Sequence, residues 1–169
     1  MWKVVALMSS MPEQRPGRSE QVVCTPKELL EAVKQRLCIS EFAIDLAASK
    51  DNAVAEIFYT EEDNALGPIK WSYPGWGWCN PPFGHLEPWV KKAAEETMNG
   101  AQTVMLVPAS VGSNWWRDWV EPYAYQSFLN GRVTFVGHTS PYPKDLAILL
   151  YHPWNFLGHE LWNWNRKQK

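Results

Sequence analysis

The first change from polar to patterned apolar sequence comes after Thr25-Pro26-Lys27-Glu28, where Leu29, Leu30, Val33 and Leu37 recur at helical spacing. Those positions share one side of a 3.6-residue turn, so the pattern predicts a helix to about Leu37 with one buried stripe. Thr25 and Glu28 have the separation of a capping box, and Pro26 suits a first helical position. Phe42-Ala43-Ile44-Asp45-Leu46 is a short apolar run carrying one acid, the pattern of a buried strand. The small residues Ala47-Ala48-Ser49 then turn the chain toward Asp51 and Asn52. Thr60-Glu61-Glu62-Asp63 offers a second capping signature, which a short turn would serve as well. Trp76-Gly77-Trp78-Cys79 reads as a strand that must stop at Asn80-Pro81-Pro82-Phe83, because two prolines remove both ladder donors and helix continuation.

Over 87–99, Trp89, Val90, Ala93, Ala94, Thr97 and Met98 repeat at helical spacing, and Gly100 is a natural stop. Residues 103–107 form a buried strand ended by Pro108, and Ser113 can cap a short helix carrying Trp115, Trp116 and Trp119. The stretches 125–129 and 132–136 flank Asn130-Gly131, the strongest short hairpin signal in the chain. Leu146–Tyr151 is a final apolar strand, and the tail around Leu161, Trp162 and Trp164 turns basic at Arg166, Lys167 and Lys169. Residues 1–22, with Pro12, Pro16 and Gly17 and no periodicity, read as an irregular arm. Strands alternating with helices, then a hairpin, predict a single three-layer α/β domain over 23–169, its sheet mostly parallel with an antiparallel edge hairpin. Ligands bind such sheets outside the carboxyl ends of the strands, which selects 45–52, 80–83 and 108–114 as the rim.

Composition narrows the classes. A chain of 169 residues with 46% hydrophobic and 20% charged residues supports a real core, which excludes intrinsic disorder. It has no apolar run long enough for a membrane span and no signal-peptide pattern at its start, so the expected compartment is the cytoplasm. Cys24, Cys38 and Cys79, an odd number, suit reduced thiols; neither they nor His85, His138, His152 and His159 have metal-ligand spacing, and no metal is expected. A phosphate-cradling glycine loop and a nucleophile elbow are also missing from the sequence. With a net charge of −2, any nucleic-acid binding must come from a local patch. Of the 11 Trp, only Trp2 precedes position 71. Trp71, Trp76, Trp78, Trp89, Trp115, Trp116 and Trp119 fall on or near the predicted rim, whereas Trp154, Trp162 and Trp164 suit packing of the tail.

Asn80-Pro81-Pro82-Phe83 at a strand end is the most specific feature, although alone it could be a rigid turn. In its setting it resembles the signature of S-adenosylmethionine-dependent amino-methyltransferases, an acidic or amide residue, two prolines and an aromatic. The similarity is closer to the phage-type DNA adenine-N6 methyltransferases. It runs in order through Cys24-Thr25-Pro26, Ile44-Asp45-Leu46-Ala47-Ala48-Ser49 with Asn52, Glu61-Glu62-Asp63-Asn64-Ala65-Leu66 and Trp78-Cys79-Asn80-Pro81-Pro82-Phe83-Gly84. It continues through Met105-Leu106-Val107-Pro108-Ala109, Trp115-Trp116 and Phe128-Leu129-Asn130-Gly131-Arg132.

That resemblance implies a Rossmann-like methyltransferase fold and methyl transfer from S-adenosylmethionine to adenine N6 in DNA, with the target base flipped out of the duplex. It implies a catalytic loop of Asn80, Pro81, Pro82 and Phe83, and a cofactor site of Cys24, Thr25, Pro26, Asp45, Ala47, Ser49, Asn52, Asp63, Leu66 and Asn80. Thr25 and Asp63 could equally be caps, while Asp45, an acid in an apolar strand, is costly to bury without a partner. The chain has no Gly between Gly17 and Gly67, where the broad class places glycines beside the cofactor, so cofactor affinity could be modest. Trp115, Trp116, Arg117, Arg132 and Lys144 are the rim candidates for DNA, and Lys91 and Lys92 suit a solvated helix face. Without an extra domain to read sequence, target preference is expected to be weak. A phage or prophage origin and evasion of host restriction would follow. Cytosine N4 and a protein glutamine are rival acceptors for the same chemistry, and a non-catalytic Trp-rich binding module is the alternative outside it.

Overall fold

The structure, a computed structural model, describes residues 23–154 and 156–165; the expected N-terminal arm and the basic end of the tail lie outside them. Its elements in chain order are α1 (Lys27–Leu37), β1 (Ile44–Asp45), β2 (Trp76–Cys79), α2 (Glu87–Met98), β3 (Gln102–Pro108), α3 (Asn114–Trp119), β4 (Ala124–Leu129), β5 (Leu146–Tyr151) and β6 (Gly158–Trp162). They build one six-stranded sheet in the order β1-β2-β3-β5-β4-β6. β1, β2 and β3 are mutually parallel, β5 runs antiparallel to both β3 and β4, and β6 is parallel to β4. The carboxyl ends of β1, β2, β3, β4 and β6 therefore share one end of the sheet.

Every residue of β5, and all of β3 after Gln102, is buried, as their unbroken apolar sequences require of strands covered on both faces. One face carries α1, whose Leu29 and Val33 join Trp78, Val104, Leu106 and Ile148 in a core. The other carries α2 and α3, with Val90, Ala93, Ala94 and Trp116 packed among Cys79, Met105, Val107 and Leu149. The arrangement is the expected α/β three-layer fold, consistent with a Rossmann-like methyltransferase. Gly77 is required in β2, since a Cβ there would lie 2.6 Å from the hydroxyl of Tyr73.

Four local expectations are corrected. No capping box forms, because α1 begins at Lys27 with Pro26 as its N-cap and no side-chain cap bond. The strand expected over 42–46 is reduced to two residues, and its free side is met by the neighbouring loop, where Asp45 N–H donates to Ile57 O (2.9 Å) and Tyr59 N–H to Asp45 O (2.8 Å). Asn130-Gly131 does bend the chain, with Gly131 at φ 103°, but 132–136 is not a strand. β4 takes β5 as its antiparallel partner across the long 130–145 connection, and β6 covers the far side of β4, so the antiparallel pair lies inside the sheet. Finally, Trp76 begins β2 and so sits at the end opposite the rim, its ring against His152 (6.1 Å) and Trp154 (6.5 Å).

Candidate cofactor and acceptor site

β1 and β2 are adjacent and in register at Asp45 and Trp78, which brings the loops that follow them together. Asp45 is 3% exposed, and its carboxylate is enclosed by the backbone of its own loop. Oδ1 accepts from Ala47 N–H (3.2 Å) and Oδ2 from Val54 N–H (3.1 Å). Those bonds lower its pKa, but burial outweighs them and pushes the carboxyl up to about 6. Asn52 closes the turn by accepting from Ser49 N–H at 2.6 Å. Ser49 Oγ is buried without a hydrogen-bond partner.

Asn80 follows the last residue of β2. Its Nδ2 donates to Val23 O (2.9 Å) and to Thr25 Oγ1 (3.3 Å). Thr25 thus serves Asn80 instead of capping α1. A backbone carbonyl can only accept, so the Val23 contact fixes which end of the amide faces the chain. Oδ1 is left without a protein partner among the described residues. Cys24, Thr25, Asp45, Ala47, Asn52 and Asn80 line one narrow cleft together with Val23, Val54 and Trp78. The last three were not among the expected cofactor residues; Trp78 was expected only near the rim, and nothing in the alternation of β2 says which of its tryptophans faces a cleft.

The remaining expected cofactor residues, Pro26, Ser49, Asp63 and Leu66, do not line this cleft. Pro26 is the N-cap of α1, and Leu66 is half-buried. Asp63 is exposed and accepts from the amide and hydroxyl of Thr60, both at 2.8 Å, which holds its carboxyl below the ordinary range. The following loop is pinned to the core: Trp71 Nε1 donates to Ala65 O (2.9 Å), and Lys92 Nζ donates to Gly67 O (3.2 Å) and Ile69 O (2.9 Å). Lys92 also pairs with buried Glu96 at 2.9 Å, so it belongs to the interior and not to a solvated face.

Pro81 is buried, and among the described residues no backbone amide donates to its carbonyl. Phe83 meets the rings of Phe135 (6.1 Å) and Tyr142 (5.4 Å), both from the 130–145 connection. Beside this loop, Pro108, Ala109, Ser110, Pro143, Lys144 and Asp145 line an open groove at the carboxyl end of β3.

Of the expected DNA residues, Trp116 is 4% exposed, donates from Nε1 to Gln126 Oε1 (3.2 Å) and stacks on Phe128, so it is part of the core. Trp115 is half-buried beside it. Arg117 is exposed and bonded to Asp118 at 2.6 and 2.9 Å. Arg132 donates to Pro143 O at 2.6 Å, tying the two limbs of the 130–145 loop, and Lys144 lines the groove. Among the described residues, no group of three or more His, Cys, Asp or Glu side chains is gathered for a metal, and no helix is long and apolar enough to cross a membrane.

A DNA N-6-adenine-methyltransferase of Escherichia phage T1 is 34% identical over 108 residues, which cover 61% of this chain. The matched stretch spans 42% of that relative's own length. A family model described as DNA N-6-adenine-methyltransferase (Dam) matches residues 15–147, a range containing the cleft, the Asn80 loop and the aromatic residues that meet Phe83. The chain belongs to the DNA N-6-adenine-methyltransferase (Dam) family.

Proposed function

We propose that this chain transfers a methyl group from S-adenosylmethionine to the exocyclic N6 of an adenine flipped out of DNA. The observation that carries this reading is the fixed amide of Asn80, whose Nδ2 is held by Val23 O and Thr25 Oγ1 while Oδ1 stays open. Adenine's amine is a poor nucleophile because its lone pair is delocalised into the ring. Acceptors aimed at its two hydrogens favour a pyramidal nitrogen and stabilise the positive charge that develops as the methyl arrives. Asn80 Oδ1 and the Pro81 carbonyl are two such acceptors, held by a loop that two prolines stiffen. No proton needs to leave first; it departs to water after transfer. Phe83 offers a ring on which the extruded base stacks.

The cleft residues fit the proposed cofactor. Asp45 is a buried carboxylate that gains from a cationic or hydrogen-bond-donating neighbour, which suits the methionine ammonium or the ribose hydroxyls; beside the cleft, on the turn that Asn52 closes, Ser49 Oγ is a buried polar atom without a partner. Asn52 and Thr25 add further polar atoms to the same cleft. When bound, the cofactor would supply an electrophilic methyl on a sulfonium; Asn80 and Pro81 orient the acceptor toward it, and proximity is a major source of rate. The DNA partner places the proposed work in the cytoplasm of a bacterial host, with phosphate contacts from the rim basic residues and a weak sequence preference.

Incubation with labelled S-adenosylmethionine and unmethylated DNA tests the reading. Label recovered as N6-methyladenine is the expected result, whereas label on cytosine or on a protein would replace the acceptor. Absence of any affinity for the cofactor or its demethylated product would remove the enzyme reading altogether. Mapping of the methylated positions to one long sequence would contradict the weak preference.

A further inference from the structure

The 130–145 connection is a built wall of the site. Its first limb is fixed to the sheet, where Asn130 N–H donates to Trp162 O (2.9 Å) and Trp164 Nε1 donates to Gly131 O (3.3 Å). Its middle is fixed to the cleft, where Val136 N–H donates to Cys24 O (3.0 Å), one residue from the Val23 carbonyl that orients Asn80. Its two limbs are fixed to each other by Tyr142 N–H to Val133 O (2.8 Å) and Arg132 to Pro143 O (2.6 Å). Val133 and Phe135 are buried. The loop then delivers two rings to Phe83: Phe135 at 6.1 Å and 62°, and Tyr142 at 5.4 Å and 70°, with 5.8 Å and 83° between these two. All three contacts are edge-on, the geometry in which the positive edge of one ring meets the negative face of another.

We propose that Tyr142 is a positioning residue for the transfer reaction, acting through Phe83. Phe83 follows two prolines that stiffen the chain leading to it but do not hold its ring, and a phenyl ring turns about its two side-chain torsions unless its neighbours stop it. Tyr142 is half-buried and does so from the loop side, while Phe135 forms the buried floor on which both rings rest. This inference rests on the proposed function, in which the base stacks on Phe83. An acceptor amine must meet the methyl group within a fraction of an ångström, and a misplacement of about 1 Å costs about a hundredfold in rate.

The test uses the full chain with fluorinated phenylalanine at position 83, in the wild type and in Tyr142→Leu and Tyr142→Phe. Tyr142→Leu should shift or broaden the fluorine resonance and lower kcat on DNA about ten- to a hundredfold, with the dissociation constant of S-adenosylmethionine unchanged. Tyr142→Phe should restore both, since the ring and not the hydroxyl makes the contact. In a Phe83→Leu background, Tyr142→Leu should cost nothing more. An unmoved resonance in Tyr142→Leu, losses that multiply in the double variant, or a Tyr142→Phe chain as impaired as Tyr142→Leu would each overturn the assignment. If the wild type leaves DNA unmethylated while the resonance still responds, the proposed function fails and the ring clamp stands.

Discussion

Asn80 Nδ2 donates to the Val23 carbonyl oxygen over 2.9 Å, and this one contact makes an amide, and not a carboxylate, the right group at the head of the Asn-Pro-Pro-Phe loop. In Asn80→Asp, an oxygen would stand where Nδ2 stands and face another acceptor, with no proton between them near neutral pH. The variant should therefore lose activity despite its near-identical shape, and regain part of it as pH falls and the new carboxyl takes a proton. Asn80→Ala should fold, keep its cofactor affinity and lose about 10²–10³-fold in kcat at every pH, the usual effect of deleting one polar group aimed at developing charge. A pH–rate profile of the two variants side by side checks this; a fully active Asn80→Ala, or a flat profile for Asn80→Asp, would show that the amide does not act as described.

The proposed cofactor role of the buried Asp45 carboxyl makes binding depend on pH. Its pKa is raised to about 6 from an ordinary 3.8, chiefly by burial. In the window between those values the folded chain holds a proton that the unfolded chain has lost, so stability falls as pH rises through it. A cationic ligand group reverses this preference, because it favours the ionised carboxylate. Cofactor affinity should thus climb with pH at up to about tenfold per unit below 6 and level off above it, with proton release on binding. Calorimetric titration in buffers of different ionisation enthalpy measures both quantities. Asp45→Asn should bind more weakly and without the slope.

Legibility in the sequence followed the range of the interaction that decides each feature. β3 and β5 were evident because a strand buried on both faces must be apolar throughout, and the Asn80 loop was evident because prolines act locally. The role of Thr25 was not, since its hydroxyl can serve a helix or another side chain, and the partner that wins lies 55 residues away. Asn130-Gly131 has the turn chemistry it advertised, with Gly131 at φ 103°. What Asn130-Gly131 cannot encode is the competition for β4, which β5 and β6 win from later in the chain. For the same reason the sequence predicts a strand over 132–136, where the structure has the first limb of the wall over Phe83. Lys91 and Lys92 are neighbours about 100° apart around one helix, and only packing tells which is buried.

Lys92 is the buried one, and its removal should be costly. Its side chain is 14% exposed, that of Glu96 4%, and Nζ also serves Gly67 O and Ile69 O. Lys92→Met strands an unpaired buried carboxylate, which typically destabilises by about 3–5 kcal/mol, and releases the loop that follows Asp63 and Leu66. Replacing both partners, as in Lys92→Met with Glu96→Leu, should recover much of that loss because no charge is left uncompensated. Urea unfolding of the single and double variants distinguishes the two cases, and a double variant no more stable than the single one would place the effect in the carbonyl contacts instead.

Trp116 tests the boundary between the core and the proposed DNA interface. Sequence proximity to Arg117 suggests a base or phosphate contact, but the indole is 4% exposed, bonded to Gln126 at 3.2 Å and stacked on Phe128 at 15°. Trp116→Phe keeps most of the apolar contact and leaves Gln126, 7% exposed, without its donor. The expected result is a loss of about 1–3 kcal/mol in stability, the cost of one unsatisfied buried acceptor, with no change in how DNA affinity depends on salt. Lys144→Ala, in the groove beside the Asn80 loop, should instead lower the salt slope by about one, the effect of losing a side chain that neutralises a phosphate. Binding isotherms across a salt series, set against denaturant curves for the same two proteins, measure the difference. A Trp116→Phe chain that unfolds like the wild type but binds DNA with an altered slope would move the indole from the core to the interface.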